Sequence, residues 1–103
     1  MTWQRACRAQ DIPAGRGWPV RVGELYLAVF DSSVGFRALE NRCSHVGNPI
    51  DDGLVSGTTL TCPWHGWCYD VQTGDRITAF GRKAGLRVFP VKVEEDVIYV
   101  DIP

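Results

Sequence analysis

The spacing of glycine and proline constrains the fold of this chain more than any other feature. Eleven glycines and six prolines interrupt the 103 residues at short intervals, so no segment reads as a helix of normal length. Between them lie short runs rich in Val, Ile, Thr, Tyr, Phe and Trp, which are typical of β-strands. Many short strands without crossover helices predict an all-β protein with antiparallel pairing, arranged as a sandwich or small barrel.

The strands can be placed from these runs. The predicted strands are 2–7, 18–22, 24–31, 36–40, 54–56, 58–62, 67–70, 87–94 and 97–102. The run 24–31 (ELYLAVFD) is strongly apolar, and the first strand is the weakest. Pro19 confines its strand to a sheet edge because proline cannot donate to a ladder.

Length and charge narrow the function classes. The length predicts one domain, residues 1–103. With 11 basic and 12 acidic residues, no electrostatic footprint for nucleic acid is visible, and no apolar run approaches the ~20 residues of a membrane span. The first eight residues lack the apolar core of a signal peptide, so we expect a cytoplasmic protein. In that compartment, four cysteines predict metal ligands or free thiols rather than disulfides.

The two histidines of the chain each lie beside a cysteine. One pair is Cys43-Ser44-His45, the other is Cys62-Pro63-Trp64-His65, and sixteen residues separate them. Both pairs fall in irregular segments rich in Gly and Pro, and sites are often built on such segments when a rigid sheet carries them. A hairpin between the pairs would bring the two loops side by side, so that two thiolates and two imidazoles converge on one point.

Several chemistries use such a donor set. Thiolates and imidazoles suit zinc or an iron–sulfur cluster. Zinc fingers usually pair Cys with Cys and His with His, whereas here each loop offers one of each. That mixture fits a 2Fe-2S centre in which one iron takes both cysteines and the other takes both histidines, and mononuclear zinc remains an alternative. A Cys–His nucleophile would not explain why the pair occurs twice.

The segments 43–49 (CSHVGNP) and 62–70 (CPWHGWCYD) resemble the two cluster-binding boxes of the Rieske family. The resemblance implies an antiparallel β-sandwich base with a small subdomain of two cluster-binding loops, about 41–53 and 62–70. It also implies one Rieske-type 2Fe-2S cluster per chain. The implied iron ligands are Cys43 and Cys62 on the inner iron and His45 and His65 on the outer iron.

The box residues also indicate a subclass. Rieske proteins of cytochrome bc complexes bridge the two loops with a disulfide, and Asn48 and Trp64 occupy those positions here. Trp67 stands where those proteins place a serine hydroxyl, while the corresponding tyrosine is present as Tyr69. Since loss of a hydroxyl donor lowers the potential, we expect a midpoint of roughly −150 to −100 mV.

The resemblance implies an electron-transfer component rather than an enzyme. An oxygenase would need a second iron site with two histidines and a carboxylate, and both histidines are already used. The chain resembles free-standing ferredoxins that pass electrons from a flavoprotein NAD(P)H reductase to a terminal oxygenase. The alternative is the small subunit of an NADH-dependent nitrite reductase, whose partner would be that enzyme's large subunit.

Residues outside the four ligands carry weaker expectations. Cys7 and Cys68 are interpreted as small buried apolar residues, with Cys68 pointing opposite to Tyr69. Trp64 fits either a partner contact or a lid over the cluster. The segment 79–85 is expected to lie over the site with Phe80 packed there, and the favoured interpretation of Arg82 and Lys83 is a solvated basic turn.

Overall fold

The computed structural model describes residues 2–43, 48–64 and 66–103, and within these residues the chain forms twelve strands. The strands are β1 (Thr2–Arg8), β2 (Gly17–Val22), β3 (Leu25–Ser32), β4 (Gly35–Glu40), β5 (Leu54–Ser56), β6 (Thr59–Thr61), β7 (Cys68–Asp70), β8 (Arg76–Thr78), β9 (Gly81–Lys83), β10 (Val88–Phe89), β11 (Val91–Glu94) and β12 (Val97–Ile102). A 3₁₀ turn, Ala9–Asp11, follows β1. The all-β prediction is confirmed.

The strands pair antiparallel in three sheets. The terminal sheet has the order β1-β12-β11, the central sheet has the order β10-β4-β3-β2, and the site sheet has the order β5-β6-β7-β8-β9. Strand β2 lies at the edge of the central sheet, as Pro19 predicts.

The central sheet packs against a neighbour on each face, because successive residues of β3 point to opposite sides. Leu27 and Val29 join the core shared with the terminal sheet, where Ile98 and Val100 of β12 lie. Ala28 and Phe30 join a second core, shared with the site sheet. All four of these β3 residues are fully buried, which explains why the run 24–31 is almost continuously apolar.

The predicted strand 87–94 is two strands in two different sheets. Val88 and Phe89 pair with β4 in the central sheet, while Val91–Glu94 pairs with β12 in the terminal sheet. Pro90 lies at the crossing, where its carbonyl accepts the backbone N–H of Asp101. The sequence did not show this break because Val88, Phe89, Val91 and Val93 continue the β-forming residues across Pro90.

A β8–β9 hairpin stands where the sequence predicts a loop, at 79–85. Phe80 is fully exposed at its tip, so the expectation that it packs over the site is wrong. The chain just after this hairpin lies against the turn that follows β7, and the N–H of Leu86 donates to the Gly74 carbonyl at 2.8 Å. A Cβ at Gly74 would overlap the Leu86 carbonyl, and its φ of +80° also favours glycine.

Within the described ranges, no helix has the length and apolar character needed to cross a bilayer.

Candidate metal centre

The first predicted ligand loop begins where β4 ends, and the side chain of Asn41 braces it. Asn41 is almost fully buried, and its Oδ1 accepts the backbone N–H groups of Ile50 at 2.7 Å and Asp51 at 3.1 Å. Its Nδ2 donates to the Asp51 carboxylate at 3.0 Å. One side chain thus joins the two ends of the loop across ten residues of sequence. This role of Asn41 could not be predicted from the sequence because its partners are distant in the chain.

Two backbone contacts fix the position of this loop further. The N–H of Cys43 donates to the carbonyl of Asn48 at 2.6 Å, which closes the loop on itself. The N–H of Gly17 donates to the Asp51 carbonyl at 2.9 Å, which ties the loop to β2 of the central sheet. Cys43 is therefore held by its own loop and by the sandwich below it.

The second predicted ligand loop is a tight connection between β6 and β7. The N–H of Cys62 donates to the Trp67 carbonyl at 2.7 Å, and the N–H of Gly66 donates to the Cys62 carbonyl at 3.1 Å. Gly66 has a φ of +71°, a backbone conformation that residues other than glycine rarely adopt. These bonds turn the chain back on itself within six residues and place Cys62 at the base of the turn.

The two cysteines predicted as ligands belong to the same buried cluster. Cys43 and Cys62 have at most 1% of their surface exposed, and both pack in the core between the central and site sheets. The hydroxyl of Tyr69, also fully buried, lies 3.5 Å from the Sγ of Cys43. Two water-excluded sulfurs with a hydroxyl beside one of them form a donor set that fits the inner iron of a 2Fe-2S cluster.

The two predicted histidine ligands, His45 and His65, lie outside the described residues. The nearest described residues belong to the two closed loops that carry the cysteines: Cys43 and Asn48 in the first loop, and Trp64 and Gly66 in the second. The structure therefore brings Cys43 and Cys62 together, and the ligand role of the two histidines stays a prediction.

The remaining cysteines lie elsewhere and are both free thiols. Cys7 is buried in the sandwich core, and burial together with the charge of Asp11 raises the pKa of its thiol to about 11. Cys68 points away from Tyr69, as expected, but it is only partly buried, so its interpretation as a core residue is wrong. Its Sγ contacts the hydroxyl of Thr61 at 3.7 Å, on the outer face of the site sheet.

An aromatic side chain next to the second loop is covered by an arginine. The guanidinium of Arg76 lies over the Trp67 ring, 3.1 Å from the ring centroid. Arg76 is paired with Tyr69 in the β7–β8 register, so the stack forms on the diagonal of this strand pair. A half-buried cation is thereby held beside the loop that carries Cys62.

An ion pair fastens the β8–β9 hairpin to β7. Arg82 Nη1 lies 2.7 Å from Asp70 Oδ2, and the other oxygen of Asp70 accepts the backbone N–H of Gln72 at 2.8 Å. Arg82 is exposed, as the solvated interpretation predicts, but it lies on a strand and bonds across the sheet, so its placement in a turn is wrong. Burial alone would raise the pKa of Asp70, but the Gln72 N–H and the Arg82 guanidinium lower it below its ordinary value.

This lowered pKa makes the stability contribution of Asp70 pH-dependent. The contribution is present above the ordinary aspartate pKa of about 3.9 and is lost as the pH falls through the lower folded-state value. We expect Asp70→Asn to lower the thermal unfolding midpoint at pH 7 by roughly 5 °C, which corresponds to about 1 kcal/mol. The deficit relative to the unsubstituted protein should shrink as the pH is lowered from 5 to 3.

Asp31→Asn is the matched control, since Asp31 is an exposed residue on β3. Its midpoint, followed by circular dichroism, should track that of the unsubstituted protein across the same pH range. A deficit for Asp70→Asn that stays constant down to pH 3 would contradict the role assigned to the ionised carboxylate.

The exposed side chain of Trp64 makes a contact between the two loops. The ring is about half exposed (54%), and its Nε1 donates to the carbonyl of Pro49 at 2.9 Å. Pro49 belongs to the first loop and Trp64 to the second. Trp64 therefore joins the loops, while part of its ring stays open to solvent.

The sequence of this chain was compared with known families and proteins. The family model for the Rieske [2Fe-2S] domain matches residues 2–90. Apoptosis-inducing factor 3 of Homo sapiens is 33% identical over 94 residues, which are 91% of this chain and only 15% of that protein. Ferredoxin CarAc of Metapseudomonas resinovorans is 34% identical over 99 residues, which are 95% of this chain and 92% of CarAc.

Solved structures agree with this placement. The ferredoxin in a complex of reduced oxygenase and oxidized ferredoxin of carbazole 1,9a-dioxygenase superposes with a TM-score of 0.80 at 33% identity, covering 95% of this chain and 100% of that one. A structure described as a putative NADH-dependent nitrite reductase small subunit from Mycobacterium tuberculosis shares the fold, with a TM-score of 0.83 at 21% identity, covering 96% and 93% of the two chains. The chain thus belongs to the Rieske [2Fe-2S] domain family, and its cofactor is a 2Fe-2S cluster of the Rieske type.

Proposed function

We propose that this chain is a one-electron carrier that takes electrons from a flavoprotein NAD(P)H reductase and delivers them to a terminal oxygenase. The observation that carries the proposal is the match to ferredoxin CarAc, which spans nearly the whole of both chains. The ferredoxin that superposes on this chain was solved in complex with its oxygenase, which supports an oxygenase as the electron acceptor. When bound, the cluster accepts and releases one electron at a time.

The proposed ligands are Cys43 and Cys62 on the inner iron and His45 and His65 on the outer iron. The burial of the two cysteines supports this assignment, because a water-excluded thiolate pair suits the iron furthest from solvent. The residues around the two sulfurs keep water away from them, because both cysteines lie in the core between the central and site sheets. Electron exchange through the outer ligands then requires only a small and transient docking contact.

The setting of the carrier is part of the same proposal. We infer that residues 1–103 form one Rieske domain and that it works in the cytoplasm. The free thiols of Cys7 and Cys68 support a reducing compartment. The chain spans 15% of the length of its relatives named apoptosis-inducing factor 3. The same electron carrier could therefore also work as one domain of a larger protein.

Reconstitution tests the proposed function. The holoprotein is reduced with NADH through a flavoprotein ferredoxin reductase, and reoxidation of the cluster is followed in the visible spectrum after a terminal ring-hydroxylating oxygenase with its aromatic substrate is added. We expect reoxidation coupled to product formation. Reoxidation only by the large subunit of a nitrite reductase together with nitrite would overturn the proposal in favour of the alternative subunit role.

The metal content of the purified protein distinguishes the cluster from zinc. We expect about two irons and two sulfides per chain, the EPR signal of a reduced Rieske centre, and a midpoint potential of roughly −150 to −100 mV. A colourless protein with a single zinc would exclude electron transfer altogether, and a midpoint above about +100 mV would exclude the low-potential subclass.

The hydroxyl of Tyr69 is expected to raise this potential. It lies 3.5 Å from Cys43 Sγ in a fully buried position, and a hydroxyl that donates to a ligand sulfur stabilises the more negative, reduced state. Tyr69→Phe should therefore lower the midpoint by roughly 40 mV, if the bond contributes about 1 kcal/mol more in the reduced state. Tyr26→Phe is the control, because Tyr26 is an exposed residue of β3 whose substitution should leave the potential unchanged.

A further inference from the structure

The two ligand loops are each closed by their own hydrogen bonds. The first is closed by the bond from Cys43 to Asn48 and by the bonds of Asn41, and the second by the bond from Cys62 to Trp67. None of these bonds passes from one loop to the other. They fix the shape of each loop.

The indole of Trp64 makes a hydrogen bond that does pass between the loops. Its Nε1 lies 2.9 Å from the Pro49 carbonyl, fifteen residues away in the chain. A tryptophan with half of its surface exposed has water available for its N–H, yet here the N–H is directed at a backbone carbonyl of the opposite loop. The hydrogen bond therefore ties the indole to the first loop, while about half of the surface of Trp64 stays exposed.

Both ends of this bond lie on stiff backbone. The acceptor belongs to Pro49, whose ring fixes φ, and the next residue, Ile50, is held by Asn41. The donor follows Pro63 directly and is two residues from Cys62, whose N–H is bonded to Trp67. Because both segments are braced, a change in the separation of the loops must lengthen this hydrogen bond, which weakens as the donor and the acceptor part.

We propose that Trp64 is a positioning residue, whose indole N–H clasps the second loop to the first and holds the spacing between Cys43 and Cys62. This inference rests on the proposed assignment of these cysteines as cluster ligands. The clasp lowers the rate at which the loops part and expose the cluster. It also limits the variation in the distance between the Sγ atoms of Cys43 and Cys62.

Trp64→Phe tests the clasp in the holoprotein, because it keeps an aromatic ring, although a smaller one, and removes the N–H donor. We expect the cluster to bleach three to ten times faster in the presence of an iron chelator, and we expect the EPR lines of the reduced protein to broaden. The matched control is Trp18→Phe, since Trp18 has a similar exposure (39%) but lies at the edge of the central sheet. It should bleach at the rate of the unsubstituted protein.

A second variant examines the acceptor. Pro49→Ala keeps the carbonyl that accepts the indole N–H but loses the ring that fixes φ, so its bleaching rate should lie between that of the unsubstituted protein and that of Trp64→Phe. Bleaching of Trp64→Phe at the unsubstituted rate, with unchanged EPR linewidth, would overturn the clasp while leaving the electron-carrier function intact. Failure of the unsubstituted protein to hold a 2Fe-2S cluster would instead overturn the proposed function.

Discussion

Cys43→Ala and Cys62→Ala are each expected to yield a colourless protein that retains less than about a tenth of the iron of the unsubstituted chain. Each variant removes one thiolate from a pair that is buried away from water, and alanine supplies no donor in its place. Alanine is the informative substitution, because a serine oxygen could still bind iron. Iron and sulfide analysis together with the visible spectrum measures the effect.

The two remaining cysteines provide matched controls for this experiment. Cys7 lies in the sandwich core and Cys68 on the outer face of the site sheet, and neither belongs to the cluster that contains Cys43 and Cys62. Cys7→Ala and Cys68→Ala should keep full iron content and an unchanged spectrum. Loss of the cluster in Cys68→Ala, or its retention in Cys43→Ala, would show that the ligand assignment is wrong.

The second large effect is expected at Asn41. Asn41→Ala removes three hydrogen bonds from the first ligand loop and leaves the buried N–H of Ile50 without its acceptor. An unsatisfied buried donor costs about 1–3 kcal/mol, so the thermal midpoint should fall by roughly 10 °C. We also expect faster loss of the cluster to a chelator, since the loop that carries Cys43 loses its brace.

Asn48→Ala separates the brace from a general effect of replacing asparagine in this loop. Asn48 lies in the same loop, and its contact in the described structure is made by its backbone carbonyl, which alanine retains. Its midpoint should change little. Asn41→Asp should fall between the two, because it keeps the acceptor for Ile50 and Asp51 but places two carboxylates side by side. Equal stability of Asn41→Ala and Asn48→Ala would contradict the role given to Asn41.

The fold was predictable wherever local composition and tertiary burial agree. The apolar run of β3 and the alternating pattern of β12 both correspond to strands, because their side chains fill the two cores. The hairpin β8–β9 was not predictable in this way. Its strands have three residues each and no buried side chain, so it depends on backbone pairing and on the ion pair between Arg82 and Asp70.

In the candidate site, too, some residues could be predicted from the sequence and others could not. The Cys–His pairs carry their own signal, since the residue types and their spacing identify the donor set before any fold is known. The residues that hold the loops in place carry no such signal. Asn41 and Trp64 bind backbone atoms that lie ten and fifteen residues away, and only the folded chain shows these contacts. The groups proposed to bind iron can therefore be predicted from the sequence more readily than the groups that position them.

The burial of β3 on both faces has a consequence for how the protein matures. The core between the terminal and central sheets contains neither of the proposed cysteine ligands, so a newly synthesised chain can complete this half before it receives iron. The other face of β3 then offers a finished apolar platform on which the site sheet closes as the metal arrives. In the apoprotein, the terminal and central sheets should accordingly be folded while the site sheet is not. The holoprotein would then form as the site sheet docks onto the central sheet.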